Sequence, residues 1–203
     1  MKCIIIGAGN FNNENIIKNS DDLLICADAG YSYIENTNLK VDILVGDFDS
    51  LDEIPTGIDI YKLPTEKDDT DLFVAIQEGI KKGYRVFDIY GALGGRIEHS
   101  YANIQILANL AKQGITATLI DQATTIQMLT EGTYIYIDIK GYLSLFSYSE
   151  ESIITIKHLK YELNNYKISN LFPLGIDNEF IEEDATIIIH SGMVLSIINK
   201  KND

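Results

Sequence analysis

Gly46-Asp47-Phe48-Asp49-Ser50 sets two carboxylates on either side of one phenylalanine, directly after the apolar run Ile43-Leu44-Val45. If Phe48 turns the other way, Asp47 and Asp49 can converge on a hard cation such as Mg2+, which takes oxygen ligands and leaves positions for phosphate. Asp and Ser are also ordinary turn residues, so a solvated loop is the competing account of this segment. A second acidic stretch, Thr65-Glu66-Lys67-Asp68-Asp69-Thr70-Asp71, leads into Leu72, Ala75, Ile76, Gly79 and Ile80 at helical spacing. Here too two accounts stand: Asp71 as a further metal ligand, or Asp68 as helix cap with Asp71 completing a capping box. The third stretch is Gly91-Ala92-Leu93-Gly94-Gly95-Arg96-Ile97-Glu98-His99-Ser100. Its glycines allow close backbone approach, the helix that follows offers N-terminal amides to an anion, and Arg96 adds a fixed positive fork. His99 is either a neighbour of those phosphates or a packing residue at the helix start. His158 and His190 read as structural.

These residues need elements to hold them. Lys2 to Ile6 reads as a strand running into Gly7-Ala8-Gly9-Asn10, with a helix beginning in the Asn12 to Asn15 region; Gly-x-Gly without a third glycine is a weak nucleotide signature. Leu23 to Ala27 is a second strand ending at Asp28, followed by a short helix from Tyr31. Ile43 to Val45 is the third, Ile58 to Leu63 the fourth and Tyr84 to Tyr90 the fifth. The helix after Arg96 is expected to bury Ile97, Tyr101, Ile104, Ala108 and Ala111. Alternating strands and helices predict a parallel sheet with ligands at the carboxyl ends of its strands, where Asp28, Asp47, Asp49 and the Gly91 to Arg96 loop all fall.

Beyond Asp121 helical spacing gives way to short β-branched runs, Tyr134 to Ile139, Tyr142 to Phe146, Ile153 to Ile156, Ala185 to His190 and Met193 to Ile198, punctuated by glycine turns. The reading is therefore an α/β N-terminal domain with a mainly parallel sheet, residues 1–122, followed by an all-β sandwich domain, residues 123–203.

The bulk numbers exclude several classes. With 203 residues, 46% hydrophobic and 23% charged, the chain has the composition of a soluble globular protein. A formal net charge of -14 argues against nucleic-acid partners and suits a cationic ligand, while an anionic substrate would need a metal or local Lys and Arg. Cys3 and Cys26 have neither metal-ligand spacing nor a disulfide framework, which suits a reduced cytoplasmic interior. The apolar start is too short for a signal peptide, and no run reaches membrane-spanning length.

Taken in order, Ala27-Asp28-Ala29-Gly30, Gly46-Asp47-Phe48-Asp49-Ser50, Lys67-Asp68-Asp69-Thr70-Asp71 and Gly91-Ala92-Leu93-Gly94-Gly95-Arg96 resemble the motifs of the thiamine pyrophosphokinase family. Tyr142-Leu143-Ser144-Leu145-Phe146, Leu159-Lys160-Tyr161-Glu162-Leu163 and Gly175-Ile176-Asp177-Asn178-Glu179-Phe180 extend the resemblance over nearly the whole chain. It implies Mg2+-dependent transfer of pyrophosphate from ATP to the thiamine hydroxyl, giving thiamine diphosphate and AMP. It also implies a homodimer with each active site between the α/β domain of one chain and the β domain of the other.

By position, Asp28, Asp47, Asp49 and Asp71 would hold the metal, and Asp47, Asp49, Asp71 and Arg96 would form the catalytic group. Asp28, Lys67, Asp68, Thr70, Arg96, His99, Ser144, Asp177 and Asn178 would bind nucleotide or substrate. The chain departs from the pattern at Glu98, where Asp is usual, at His158 for Gly, at Glu162 for Pro, and at Asp177 for Ser. A serine donates a hydrogen bond and an ionised aspartate only accepts one, so Asp177 bears directly on the thiamine end. Two other readings of the same residues are a nucleotide-sugar transferase built on Asp-x-Asp and a non-catalytic ligand carrier.

Overall fold

Strands β1 (Cys3–Ile6), β2 (Leu23–Ala27) and β3 (Ile43–Gly46) are buried at every position, which is why they read as unbroken apolar runs rather than alternating ones. The structure, a computed structural model, describes residues 1–11, 16–48, 57–63 and 70–201. The expected helix start at Asn12 to Asn15 lies outside the described residues, and residues 16–19 that follow are not helical.

Two compact units are present, one made of residues 1–106 with 114–122, the other of 107–113 with 123–203. The first holds β1 to β3, a 3-10 helix (Asp28–Tyr33), β4 (Asp59–Lys62), helix α1 (Asp71–Lys81), β5 (Val86–Tyr90), helix α2 (Ile97–Lys112), which enters the second unit at its end, and β6 (Thr116–Asp121). The strands pair in parallel in the order β4-β3-β2-β1-β5-β6. The chain thus builds outward from β1 through β2, β3 and β4, then returns to the other side of β1 with β5. That reversal leaves a crevice beyond the carboxyl ends of β1 and β5, the place where open parallel sheets take ligands.

Helix α1 packs on β1, β2 and β3, with Leu72, Ala75, Ile76 and Gly79 buried. A Cβ at Gly79 would lie 2.7 Å from the Phe87 ring and 2.9 Å from Cys3 Sγ, so only glycine lets the helix sit this low on the sheet. On α2 the expected face holds in part: Ala108 is buried and Ile104 and Ala111 are half-buried, but the two residues expected at its start are not covered. Ile97 is 82% and Tyr101 58% exposed, whereas Asn103, Leu107, Ala108 and Leu110 are buried. The buried face runs through Asn103, Leu107 and Leu110, and the polar residue at its head hides that face from a reading of apolar spacing.

The second unit is antiparallel. β7 (Thr124–Leu129), β14 (Val194–Lys200), β9 (Gly141–Ser147) and β12 (Gly175–Glu179) pair in that order. β8 (Gly132–Tyr136), β13 (Ala185–Ser191), β10 (Glu151–Lys157) and β11 (Leu163–Ser169) form a second sheet. Leu143, Leu145, Ile154, Ile156, Ile187, Ile189 and Val194 from both sheets share one core, which makes this unit a sandwich. No helix of the described residues is long and apolar enough to cross a membrane.

Candidate active site

The turn after β1 and the loop after β5 are bonded to each other through their main chains. Gly7 N donates to Tyr90 O at 2.8 Å, Gly9 N to Gly91 O at 2.7 Å and Asn10 N to Leu93 O at 3.1 Å. A Cβ at Gly7 or Gly9 would stand 2.7 Å or 2.6 Å from Gly91 O, and Gly91 itself has φ +60 with Gly7 O against its open side. The glycines of the weak Gly-x-Gly signature therefore serve this loop-to-loop contact. Tyr33 Oη adds a bond to Gly9 O at 2.9 Å, and its ring stacks on Phe11 with centroids 5.2 Å apart.

The two loops form one wall of a cavity of about 530 Å3. Ala27, Asp28, Tyr33, Thr70, Asp71, Leu72, Arg96, His99 and Asn103 complete its lining, all within the first unit. Residues far apart in the sequence meet here because each follows a strand end or opens a helix at the same sheet edge. Asp28 sits just past β2 at φ +50, a left-handed conformation that costs a non-glycine residue about 1 kcal/mol or more. Asp71 occupies the first turn of α1. The cap of that helix is Thr70, whose Oγ1 accepts from Phe73 N at 3.2 Å, so capping does not need Asp71. Asp68, the residue expected to cap, lies outside the described residues, as do Lys67 and Asp49.

Asp47 is adjacent to this cavity rather than on it. A Cβ at Gly46 would stand 3.1 Å from Asp28 Cα, so the end of β3 lies directly against the residue that carries the cavity's first acid. Phe48 then turns at φ +65 and sinks to 5% exposure in the core, leaving Asp47 half-buried. The alternation expected of Asp-Phe-Asp is thus present for its first two members. Among the described residues no three acidic, histidine or cysteine side chains are placed to hold one metal ion.

Arg96 is exposed and its Nε donates to Glu98 Oε1 at 2.6 Å. Glu98's own main-chain N–H and the Arg96 guanidinium together hold that carboxyl below its usual value. Among the described residues the pair occupies only Nε, which leaves the two terminal nitrogens of the fork for an anion. His99, in the first turn of the helix, is exposed and lines the cavity, so it is not a packing residue of the core.

The other three expected site residues lie in the second unit. Ser144 is 6% exposed, and its Oγ accepts from Asp177 N at 3.1 Å. Asn178 is also 6% exposed and spends its amide on the main chain of Tyr161. Asp177 is exposed, at φ +53. Ser144 and Asn178 thus support a surface from which Asp177 and Tyr161, itself 66% exposed, project. Sequence reasoning missed Tyr33, Asn103 and Tyr161; the usable signal for Asn103 was its place one turn after His99, where a polar stripe runs along α2.

Comparison with known proteins covers the same ground. The profile of the thiamin pyrophosphokinase catalytic domain matches residues 14–119, and that of the thiamin pyrophosphokinase vitamin B1 binding domain matches residues 126–194. Thiamine pyrophosphokinase of Bacillus subtilis (strain 168) is 34% identical over 166 residues, 75% of this chain and 75% of that protein. A crystal structure of the Bacillus subtilis thiamine pyrophosphokinase superimposes with a TM-score of 0.88 at 28% identity over 100% of both chains. A thiamin pyrophosphokinase family protein from Enterococcus faecalis superimposes at 0.81, also with 28% identity and 100% of both chains covered. The Geobacillus thermodenitrificans structure, at 24% identity and a TM-score of 0.87 over 100% of this chain and 99% of that one, shares the fold.

Proposed function

The chain belongs to the thiamine pyrophosphokinase family, and from that membership we propose that it moves an intact pyrophosphoryl group from ATP to the hydroxyl of thiamine. The oxygen of the thiamine hydroxyl bonds to the β-phosphorus, the bridge between α- and β-phosphates breaks, and AMP leaves with the bridging oxygen. The observation that carries this reading is the cavity at the sheet's reversal point, where two glycine-rich loops, Asp28, Asp71 and Arg96 converge.

Transfer of this kind asks little covalent chemistry of a protein and much positioning and charge neutralisation. The glycine loops let main-chain amides come close to phosphate oxygens, α1 points its N-terminal turn at the same space, and the free end of Arg96 offsets phosphate charge. Asp71 is assigned the proton of the attacking hydroxyl.

Carboxylates alone would repel a triphosphate. Asp28 and Asp71 face the cavity with hard oxygen donors of the kind Mg2+ prefers, with Asp47 next to Asp28, so the donor set fits that ion. Asp49, in the same motif, is assigned to the set by sequence. When bound, the ion would offset phosphate charge and draw electron density from phosphorus. Lys67, Asp68, Thr70 and His99 are assigned to the nucleotide.

Thiamine is assigned to the surface carrying Asp177 and Tyr161, where an acid and an exposed ring suit a thiazolium cation. The substrate-binding role of residues 123–203, the homodimer with composite sites and a cytoplasmic location belong to the same proposal. Cys3 and Cys26 are free and buried, and burial pushes the Cys3 thiol up to about 12, which leaves it protonated and unreactive.

Incubation with ATP, Mg2+ and thiamine tests the reading. AMP and thiamine diphosphate in equal amounts are expected. ADP as the nucleotide product, or turnover of a nucleotide sugar without thiamine, would overturn it.

A further inference from the structure

Asn103 is buried on α2, nine-tenths of its surface withdrawn from solvent, yet it lines the nucleotide cavity. Its Nδ2 donates to Ala92 O at 2.7 Å. That bond fixes which way the amide faces, because a carbonyl cannot accept from Oδ1. Among the described residues the amide oxygen and the second N–H have no other protein partner. The oxygen is not sealed off either, since the one enclosed and unpartnered side-chain oxygen among the described residues is Asp121 Oδ1. A buried amide left half-satisfied is costly unless something entering from the open side completes it.

The chemistry of the missing partner follows from what Asn103 can still offer. Its remaining groups are one neutral donor and one neutral acceptor. An acceptor oxygen repels phosphate oxygens, and the cavity already carries Arg96, the amide-lined loops and the acids for a triphosphate and its cation. What remains is the uncharged part of the ligand. Ala92, which Asn103 holds, and its neighbour Leu93 belong to the same lining and are apolar and buried, suited to a flat ring or sugar face. The helix orders the two jobs along its length: Arg96 and His99 stand at its start, and Asn103 is one turn deeper than His99.

We infer that Asn103 is a specificity-determining residue that reads the nucleoside half of the nucleotide, through the donor–acceptor edge of the purine base or a ribose hydroxyl. The inference rests on the cavity being the ATP site. A neutral amide paired with a purine edge is a familiar means of discrimination, and one lost neutral bond of this kind weakens binding by about tenfold.

The test compares the parent chain with Asn103→Ala and Asn103→Asp, each first shown to be folded by circular dichroism and thermal unfolding. Binding of ATP, GTP, 2′-deoxy-ATP and inorganic tripolyphosphate is measured with Mg2+ present, and thiamine KM is measured separately. Asn103→Ala is expected to weaken ATP about tenfold and to leave tripolyphosphate and the thiamine KM within twofold; a contact to the base also narrows the preference of ATP over GTP, and a contact to the ribose weakens both nucleotides alike. A penalty kept with 2′-deoxy-ATP assigns the contact to the base, and a penalty abolished with it assigns the contact to the ribose. Equal weakening of ATP and tripolyphosphate would make Asn103 a structural support for the Ala92 loop and overturn the inference. Unchanged ATP binding in a folded variant would do the same while leaving the family reaction intact. A parent chain that binds no ATP would overturn both this inference and the reading of the cavity.

Discussion

Asn178 grips Tyr161 by both polar atoms of its main chain: Oδ1 accepts from Tyr161 N at 3.0 Å and Nδ2 donates to Tyr161 O at 2.7 Å. The amide is buried and the tyrosine is 66% exposed, so the residue that resembles a substrate contact has its side chain committed to its neighbour's main chain. Asn178→Asp keeps the acceptor and loses the donor, leaving Tyr161 O unpaired beside a buried carboxylate. The expected cost is about 1–3 kcal/mol in urea unfolding, with a raised thiamine KM and a smaller change in kcat. An unchanged thiamine KM in a destabilised variant would restrict Asn178 to folding.

Asp71 lines the cavity, and Thr70 already supplies the cap of its helix. Asp71→Asn should therefore leave thermal unfolding within a few degrees of the parent while lowering kcat about a hundredfold or more. Activity near the parent's would remove Asp71 from the reaction.

Gly91 combines φ +60 with Gly7 O on its open side. In Gly91→Ala the left-handed strain alone costs about 1–2 kcal/mol, and the new methyl must also push the two glycine loops apart. Lower thermal stability together with weakened binding of both ATP and tripolyphosphate is expected. That pattern, read by calorimetry, differs from the ATP-only loss expected at Asn103.

Asp22 ties the start of β1 to that of β2. It is 5% exposed and accepts from Lys2 N at 2.8 Å and from Asn19 N and Nδ2, each at 3.0 Å. Burial pushes its carboxyl up, but those bonds and the nearby N-terminal charge outweigh it, and the net shift is downward from 3.8. A depressed folded pKa means the stabilisation is fully present above the unfolded value and is lost as pH falls through the folded one. Stability of the parent should drop on acidification through and below the ordinary aspartate range, and Asp22→Asn should flatten that slope. Equal slopes in denaturant titrations at several pH values would assign the acid sensitivity to other carboxylates.

Much of the first unit was legible because β1, β2 and β3 are buried on both faces and so appear as short solid apolar runs, each closed by glycine or aspartate. β6, β7, β11 and β12 were not. β11 is exposed from Asn164 to Lys167 and β12 at Ile176 and Asp177, and Leu163-Asn164-Asn165-Tyr166-Lys167 gives no alternation to read. Such strands are specified by the partner that supplies their hydrogen bonds, β10 for one and β9 for the other.

The sequence by itself determined the acids, the glycines and their order along the chain, because chemistry and backbone freedom are properties of single residues. Only the tertiary structure decided which of them share a cavity. The return of β5 to the far side of β1 brings Gly7 against Gly91 and puts Asp28, Asp71 and Arg96 around one space, while α2's rotation turns Asn103 inward and Tyr101 outward. Strand order and helix rotation are fixed by the packing of the whole unit, and a one-dimensional pattern does not contain them.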